Sequence, residues 1–147
     1  MERKYDHMIS KYHHRFLEER FKGMAINRSE APYLKMIYKH NQIKMNDLIQ
    51  KFFYHKSHTT RAIKRLVEDG YVVKTIDPED KRGFILTITD KGKAIGAKLV
   101  QIISDWDKLM SSFLEKEEQE FIEKLAEKIY RKLREYYGED DTYEETT

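Results

Sequence analysis

The densest run of chemistry-bearing side chains is Ser57-His58-Thr59-Thr60-Arg61-Ala62-Ile63-Lys64-Arg65-Leu66. On a helix, Ser57, His58, Thr60, Arg61 and Lys64 form an outward face of hydroxyl, imidazole, guanidinium and ammonium groups, while Ala62, Ile63 and Leu66 point inward. Donors of this kind read base edges and phosphates when a helix enters a major groove about 12 Å wide. An ordinary amphipathic surface helix has the same two faces, so the segment needs support from elsewhere. The turn Asp77-Pro78-Glu79-Asp80-Lys81-Arg82-Gly83 offers it. Arg82, at the tip of a thin ribbon, can reach a minor groove, where narrow A·T tracts concentrate negative potential. Asp80, two residues earlier, is placed to hold that guanidinium by a charge-assisted bond. From Lys44 to Lys98 twelve basic side chains stand against seven acidic ones, an excess of five hidden in a chain whose formal charge is only +2. Such a patch binds phosphate backbones in a salt-dependent way.

The elements that would position these groups follow from periodicity. Tyr5, Met8, Ile9, Tyr12, Phe16 and Phe21 recur at steps that line one face of a helix over 4–22. Ser29 is expected to cap a second helix whose first turn holds Glu30 and Pro32, with Tyr33, Leu34, Ile37 and Tyr38 facing the core. Asn46 is expected to cap a short third helix ending near Phe53. A fourth opens at about Ser57 and stops at Gly70, outlining a helix-turn-helix. The β-branched and aromatic runs 71–76 and 84–89 flank the charged turn as a hairpin. From a Thr89 cap, Ile95, Leu99, Ile102, Trp106, Leu109 and Phe113 step in heptad fashion along about 36 Å of helix. That length exceeds what one small core covers, and predicts a helical partner. A last helix over 115–137 presents Ile122, Leu125, Ile129, Leu133 and Tyr136 on one face. The remaining segment holds Glu139, Asp140, Asp141, Glu144 and Glu145 with no base, and is expected to be disordered.

Composition narrows the function classes. The length of 147 residues suits one domain with an appended dimerisation element. With 0 cysteines the chain can form neither a disulfide nor a thiolate metal site, which fits a cytoplasmic location. No apolar run reaches the roughly 20 residues of a membrane span, so no membrane partner is expected. A phosphate-cradling glycine loop, a Gly-x-Ser-x-Gly elbow and a His-Glu-x-x-His motif are all missing, so an enzyme is not expected, nor any cofactor.

Taken in order, these pieces resemble a known family. Asp80-Lys81-Arg82-Gly83-Phe84-Ile85-Leu86-Thr87-Ile88-Thr89-Asp90-Lys91-Gly92 is similar to the wing signature of the MarR family (multiple-antibiotic-resistance regulators), with Ile88 in place of the usual Leu. Ser57-x-x-Thr60-Arg61, Leu66 and Gly70-Tyr71-Val72 resemble its recognition helix running into the first wing strand. The resemblance covers 4–137. It implies a mainly α fold with a small β-hairpin wing, a winged helix-turn-helix with N- and C-terminal dimerisation helices. One domain over 1–137 would hold dimerisation helices at about 4–22 and 93–137 and a winged helix-turn-helix at about 29–92, followed by the acidic tail 138–147.

The resemblance further implies a homodimer that binds double-stranded DNA, most often a repressor on a pseudo-palindromic, A/T-rich operator. Ser57, His58, Thr60 and Arg61 would then lie near base edges, Lys64 near phosphates, and Arg82 in the minor groove with Asp80 as its orienter. Lys44 and Asn46 are backbone-contact candidates. Relatives often bind small aromatic or anionic effectors in a crevice, which Tyr12, Phe16, Tyr33, Tyr38 and Trp106 would line here, although aromatic residues at helical spacing are commonly core. Two alternatives stay open: a winged-helix module that binds protein instead of DNA, and a metal-sensing regulator. For the second, His55-x-x-His58 and His13-His14 supply imidazoles without a complete ligand set, so no metal ligand is assigned.

Overall fold

The computed structural model describes residues 4–52 and 56–138. Its elements are α1 (Lys4–Phe21), α2 (Ala31–His40), β1 (Gln42–Lys44), α3 (Met45–Lys51), α4 (Lys56–Glu68), β2 (Val72–Ile76), β3 (Phe84–Ile88), α5 (Asp90–Ser111) and α6 (Lys116–Tyr137). This is a mainly helical winged-helix fold. The chain divides into two compact units, 1–106 and 107–147.

In the first unit, Tyr33, Leu34 and Ile37 of α2, Leu48 of α3, and Ile63 and Leu66 of α4 are fully buried with Leu86 of β3. The 3–4 spacing of these side chains on each short helix makes the helix-turn-helix a packed body rather than three independent segments, none of which would be stable alone.

The wing is a three-stranded antiparallel sheet in the order β1-β3-β2, not a simple hairpin. Ile43 of β1 pairs with Leu86 and Lys44 with Ile85; on the other side Val73 pairs with Thr87 and Thr75 with Ile85. Gln42-Ile43-Lys44 is too short to show a strand period, which is why periodicity predicts only two strands.

Two predicted caps move. Asn46 does not cap α3; β1 runs paired to Lys44, which becomes the N-cap residue and leaves Asn46 inside the first turn. Nor does Ser29 cap α2, whose N-cap is Glu30, a carboxylate only 1% exposed. Its Oε1 accepts from Asn27 Nδ2 at 3.3 Å and from Arg65 Nη1 at 3.3 Å. That partner on α4 lies 35 residues away, beyond the reach of a local capping argument.

The junction of α4, β3 and α5 follows the signature residues closely. Gly70 adopts φ 75°, open to glycine at no steric cost, and ends α4 with bonds from Gly70 N to Val67 O and from Tyr71 N to Leu66 O. Thr89 caps α5 by accepting from Gly92 N at 3.0 Å, and its hydroxyl donates to Gly70 O at 2.6 Å. A Cβ at Gly92 would run into the Tyr71 carbonyl and lie 2.8 Å from Ile88 Cγ1, so the close approach requires glycine.

The predicted partner-seeking stripe on α5 splits. Leu99 and Ile102 are buried within the chain, whereas Leu109 is 38% and Phe113 70% exposed. A 3–4 period marks an apolar face without saying whether the chain's own core or another chain covers it.

In the second unit, α6 starts with a reciprocal capping box between Glu115 and Glu118 and ends at Gly138 in the left-handed region. No residue of α6 is buried, and Ile122, Leu125, Ile129, Leu133 and Tyr136 are all exposed along one face. Among the described residues, no helix is long and apolar enough to cross a membrane. The acidic segment 139–147 lies outside the described residues.

Candidate nucleic-acid interface

Helix α4 presents Ser57, Thr60, Arg61 and Lys64, spaced i, i+3, i+4 and i+7, as one exposed stripe. The opposite face, Thr59, Ala62, Ile63 and Leu66, is buried. Thr60 donates its hydroxyl hydrogen to Lys56 O at 2.9 Å, leaving oxygen lone pairs to accept. Lys64 sits 3.9 Å from Glu68 in an exposed, weak pair. Among the described residues, no ion pair engages Arg61 or Arg82.

His58 departs from its predicted outward place. It is half-buried, and its Nδ1 lies 2.9 Å from Tyr33 Oη, which also accepts from Thr59 Oγ1 at 3.2 Å. A helix position at the edge of the stripe can turn either way, and a buried phenol hydroxyl needing a partner draws the imidazole inward.

The wing tip is closed by its own backbone. Asp77 N donates to Gly83 O at 3.0 Å and Gly83 N to Asp80 O at 2.8 Å. The Asp80 carboxylate accepts from the backbone N–H of Arg82 at 3.1 Å, so it shapes the turn instead of gripping the guanidinium as predicted. A side chain of Asp's length two residues from a backbone N–H forms this local bond readily. Arg82 is exposed.

Lys44 is engaged where a phosphate contact is predicted. Its Nζ lies 2.9 Å from Glu79 Oε2 and 3.3 Å from Asp77 Oδ2. The hydrogen bonds to Glu79 and Asp77, and their charges, raise the Lys44 pKa above 10.5. The Asp77 carboxyl is held below 3.8, first by the Glu79 backbone N–H on Oδ1 at 2.9 Å and then by Lys44, against the opposing cost of burial. Asn46 is exposed in the first turn of α3. The sequence reading missed Asp77 and Glu30 as polar anchors, because nothing local marks a carboxylate as buried.

The predicted effector aromatics do not gather in one crevice. Phe16 and Trp106 meet edge to face at 5.3 Å, with His13 stacked 4.7 Å from Trp106 and Arg20 over the Phe16 ring. Tyr33 is fully buried against Phe52, and Tyr38 covers Gly96, where a Cβ would approach within 2.5 Å of its ring. Tyr12 is 63% exposed. Among the described residues, no three His, Asp or Glu side chains form a metal-binding group; His55 lies outside them.

Comparison with known proteins agrees with this geometry. The MarR family model matches residues 26–84, from the start of the helix-turn-helix body to the tip of the wing. A crystal structure of a MarR transcriptional regulator from Methanosarcina mazei Go1 superposes with a TM-score of 0.74 at 26% identity, over 89% of this chain and 95% of that one. The chain has the fold of MarR regulators and resembles the MarR family over its helix-turn-helix body and wing. Mutant MarR from E. coli complexed with operator DNA matches with a TM-score of 0.73 at 26% identity, over 86% of this chain and 91% of that one. In sequence, the HTH-type transcriptional regulator BilQ of Clostridioides difficile (strain CD3) is 38% identical over 94 residues, which span 63% of this chain and 64% of the relative.

Proposed function

We propose that this chain is a homodimeric, sequence-specific DNA-binding transcriptional regulator, a ligand-responsive repressor of a pseudo-palindromic, A/T-rich operator. The exposed stripe Ser57, Thr60, Arg61 and Lys64, on a helix whose other face is locked in the core, carries this reading. Ser57, Thr60 and Arg61 read base edges, Lys64 meets phosphate, and Arg82 enters the minor groove from a turn that Asp80 stiffens. His58 supports the N-terminal turn of α4 through Tyr33 and contacts a base only after leaving that bond. The structural neighbour complexed with operator DNA supports the DNA-binding part of this reading.

A dimer accounts for the uncovered apolar face of α6. Burying each of Ile122, Leu125, Ile129 and Leu133 against a second copy is worth at most about 1.5–3 kcal/mol. The dimerisation helices are α1, the end of α5, and α6. An aromatic or anionic effector would be met by Phe16 and Trp106, with Arg20 beside them. Selection from a random duplex pool near physiological salt tests the reading, with Arg82→Ala in parallel. Enrichment of a two-fold-symmetric site by the wild type, weakened in the variant with the melting temperature unchanged, is the expected result. Salt-sensitive binding without enrichment refutes sequence recognition.

A further inference from the structure

Lys44 stands at the seam between the helix-turn-helix body and the wing. It is the last residue of β1 and the N-cap residue of α3, so its backbone joins the sheet to the body. Its side chain reaches the wing loop. In the strand order β1-β3-β2, the loop after β2 leaves from the far edge, about 10 Å from β1 at the usual strand spacing. Nζ closes that span by bonding both Asp77 and Glu79.

The electrostatics oppose a phosphate role for Lys44. One ammonium shared by two carboxylates leaves a cluster with a net negative charge, which repels a phosphate. The Asp77 side chain is 4% exposed, so withdrawing Lys44 toward DNA would leave a nearly buried carboxylate short of its counter-charge. The Lys44 pKa is raised first by Glu79 and then by Asp77, and the Asp77 pKa is lowered first by the Glu79 backbone N–H and then by Lys44.

From Asp77 the loop runs five residues to Arg82 and is stiffened throughout: Asp77 N to Gly83 O, Gly83 N to Asp80 O, Glu79 N to Asp77 Oδ1, and Arg82 N to Asp80 Oδ1. A position fixed at Asp77 is therefore a position fixed for the Arg82 backbone. A protein reading two grooves at once needs this, because a misplacement of about 1 Å at a recognition group is costly.

We propose that Lys44 is a wing-positioning residue: by strapping Asp77 and Glu79 to the start of α3, it sets where Arg82 meets DNA relative to α4. This rests on the DNA-binding reading above. A double-mutant cycle between Lys44→Met and Arg82→Ala tests it, using the duplex that the wild type enriches from a random pool. Lys44→Met should weaken binding about five- to tenfold in the wild-type background and less than about twofold in the Arg82→Ala background, because the strap acts through Arg82. Equal losses in both backgrounds would overturn the proposal and make Lys44 a direct phosphate contact; no loss in either would overturn it too. Glu79→Gln, which removes one anchor at a residue whose side chain is 79% exposed, should show the same dependence on Arg82 without endangering the fold.

A second arm needs no DNA. Amide hydrogen exchange at Glu79 and Gly83 should accelerate in Lys44→Met and return toward the wild-type rate in Lys44→Arg, and unchanged exchange would refute the strap. If the wild type enriches no duplex while these amides respond, the DNA-binding reading fails, and with it the role assigned to Lys44 on DNA, but the strap itself stands.

Discussion

Tyr33→Phe removes one oxygen atom from the centre of the body that carries α4. Tyr33 and Thr59 are both 0% exposed, and the Tyr33 hydroxyl accepts from Thr59 Oγ1 while lying 2.9 Å from His58 Nδ1. In the variant His58, only half-buried, can turn to water, but the Thr59 hydroxyl has none within reach. Leaving a buried donor unpaired costs about 1–3 kcal/mol, and for a chain of this size that lowers Tm by roughly 3–10 °C. Thr59→Val should cost less, because the Tyr33 hydroxyl keeps His58. The double variant Tyr33→Phe/Thr59→Val should cost less than the two single changes together, since it removes the orphaned hydroxyl along with its lost partner. Urea denaturation at one fixed protein concentration measures all four proteins, the fixed concentration keeping any dimer contribution constant. A Tyr33→Phe protein within about 0.5 kcal/mol of wild type, or costs that simply add, would show that Thr59 does not depend on Tyr33 and refute the reasoning.

Other outcomes follow from the same geometry. Gly92→Ala forces a Cβ against the Tyr71 carbonyl and should destabilise by about 3 kcal/mol, read by the same denaturation; a neutral variant would mean that α5 shifts freely. Leu99→Ala, at a site 3% exposed, should cost about 2–5 kcal/mol with the sedimentation coefficient unchanged, whereas Ile129→Asp should yield folded monomers. Reversal of that pattern would place the proposed dimer seam on α5. The lowered pKa of Asp77 means its contribution is present above the ordinary Asp value of 3.8 and is lost as pH falls through the lower folded value. The raised pKa of Lys44 means its contribution is present below 10.5 and is lost as pH rises through the higher folded value. The Asp77 carboxyl carbon shift should therefore stay flat across neutral pH, and an acid midpoint at or above 3.8 would contradict the bonded geometry.

What was legible in the sequence was local or periodic. The buried faces of α2 and α4, the Gly70 stop, the Thr89 cap and the charged turn all depend on residues within one or two turns of each other, and each stands where predicted. Pairings between distant residues were not legible. Glu30 reads as an exposed first-turn acid until Arg65 is brought to it, and Lys44 reads as a phosphate ligand until the sheet carries Asp77 and Glu79 across. His58 and Asp80 bond groups that spacing alone does not single out. In each the partner is the nearest competing hydrogen-bonding group, a buried phenol in one case and a backbone N–H in the other. The stripe on α5 shows the limit of periodicity itself, since Leu99 and Leu109 belong to one spacing and to opposite fates, and the helix ends at Ser111, before Phe113.

These distant pairings share a purpose that the exposed stripe alone does not reveal. Helix α2 grips α4 twice: Tyr33 bonds the first turn at His58 and Thr59, and Glu30, three residues earlier, bonds Arg65 near the other end. The grips on α4 are six to seven residues apart, or about 10 Å along the axis. Glu30 tolerates its burial because it stands at the positive N-terminus of α2 and meets Arg65 there. A helix held at one point can still roll or slide; held at two points on different turns, it cannot do either without carrying α2. Ser57, Thr60, Arg61 and Lys64 thus keep their register to the core even with the groove empty, and the strap at Lys44 extends the same constraint to Arg82. Pre-positioning of this kind lowers the ordering cost at the moment of binding. It also dictates how the interface can be switched, because a ligand that alters DNA binding must move α2, α4 and the wing together instead of bending α4 alone.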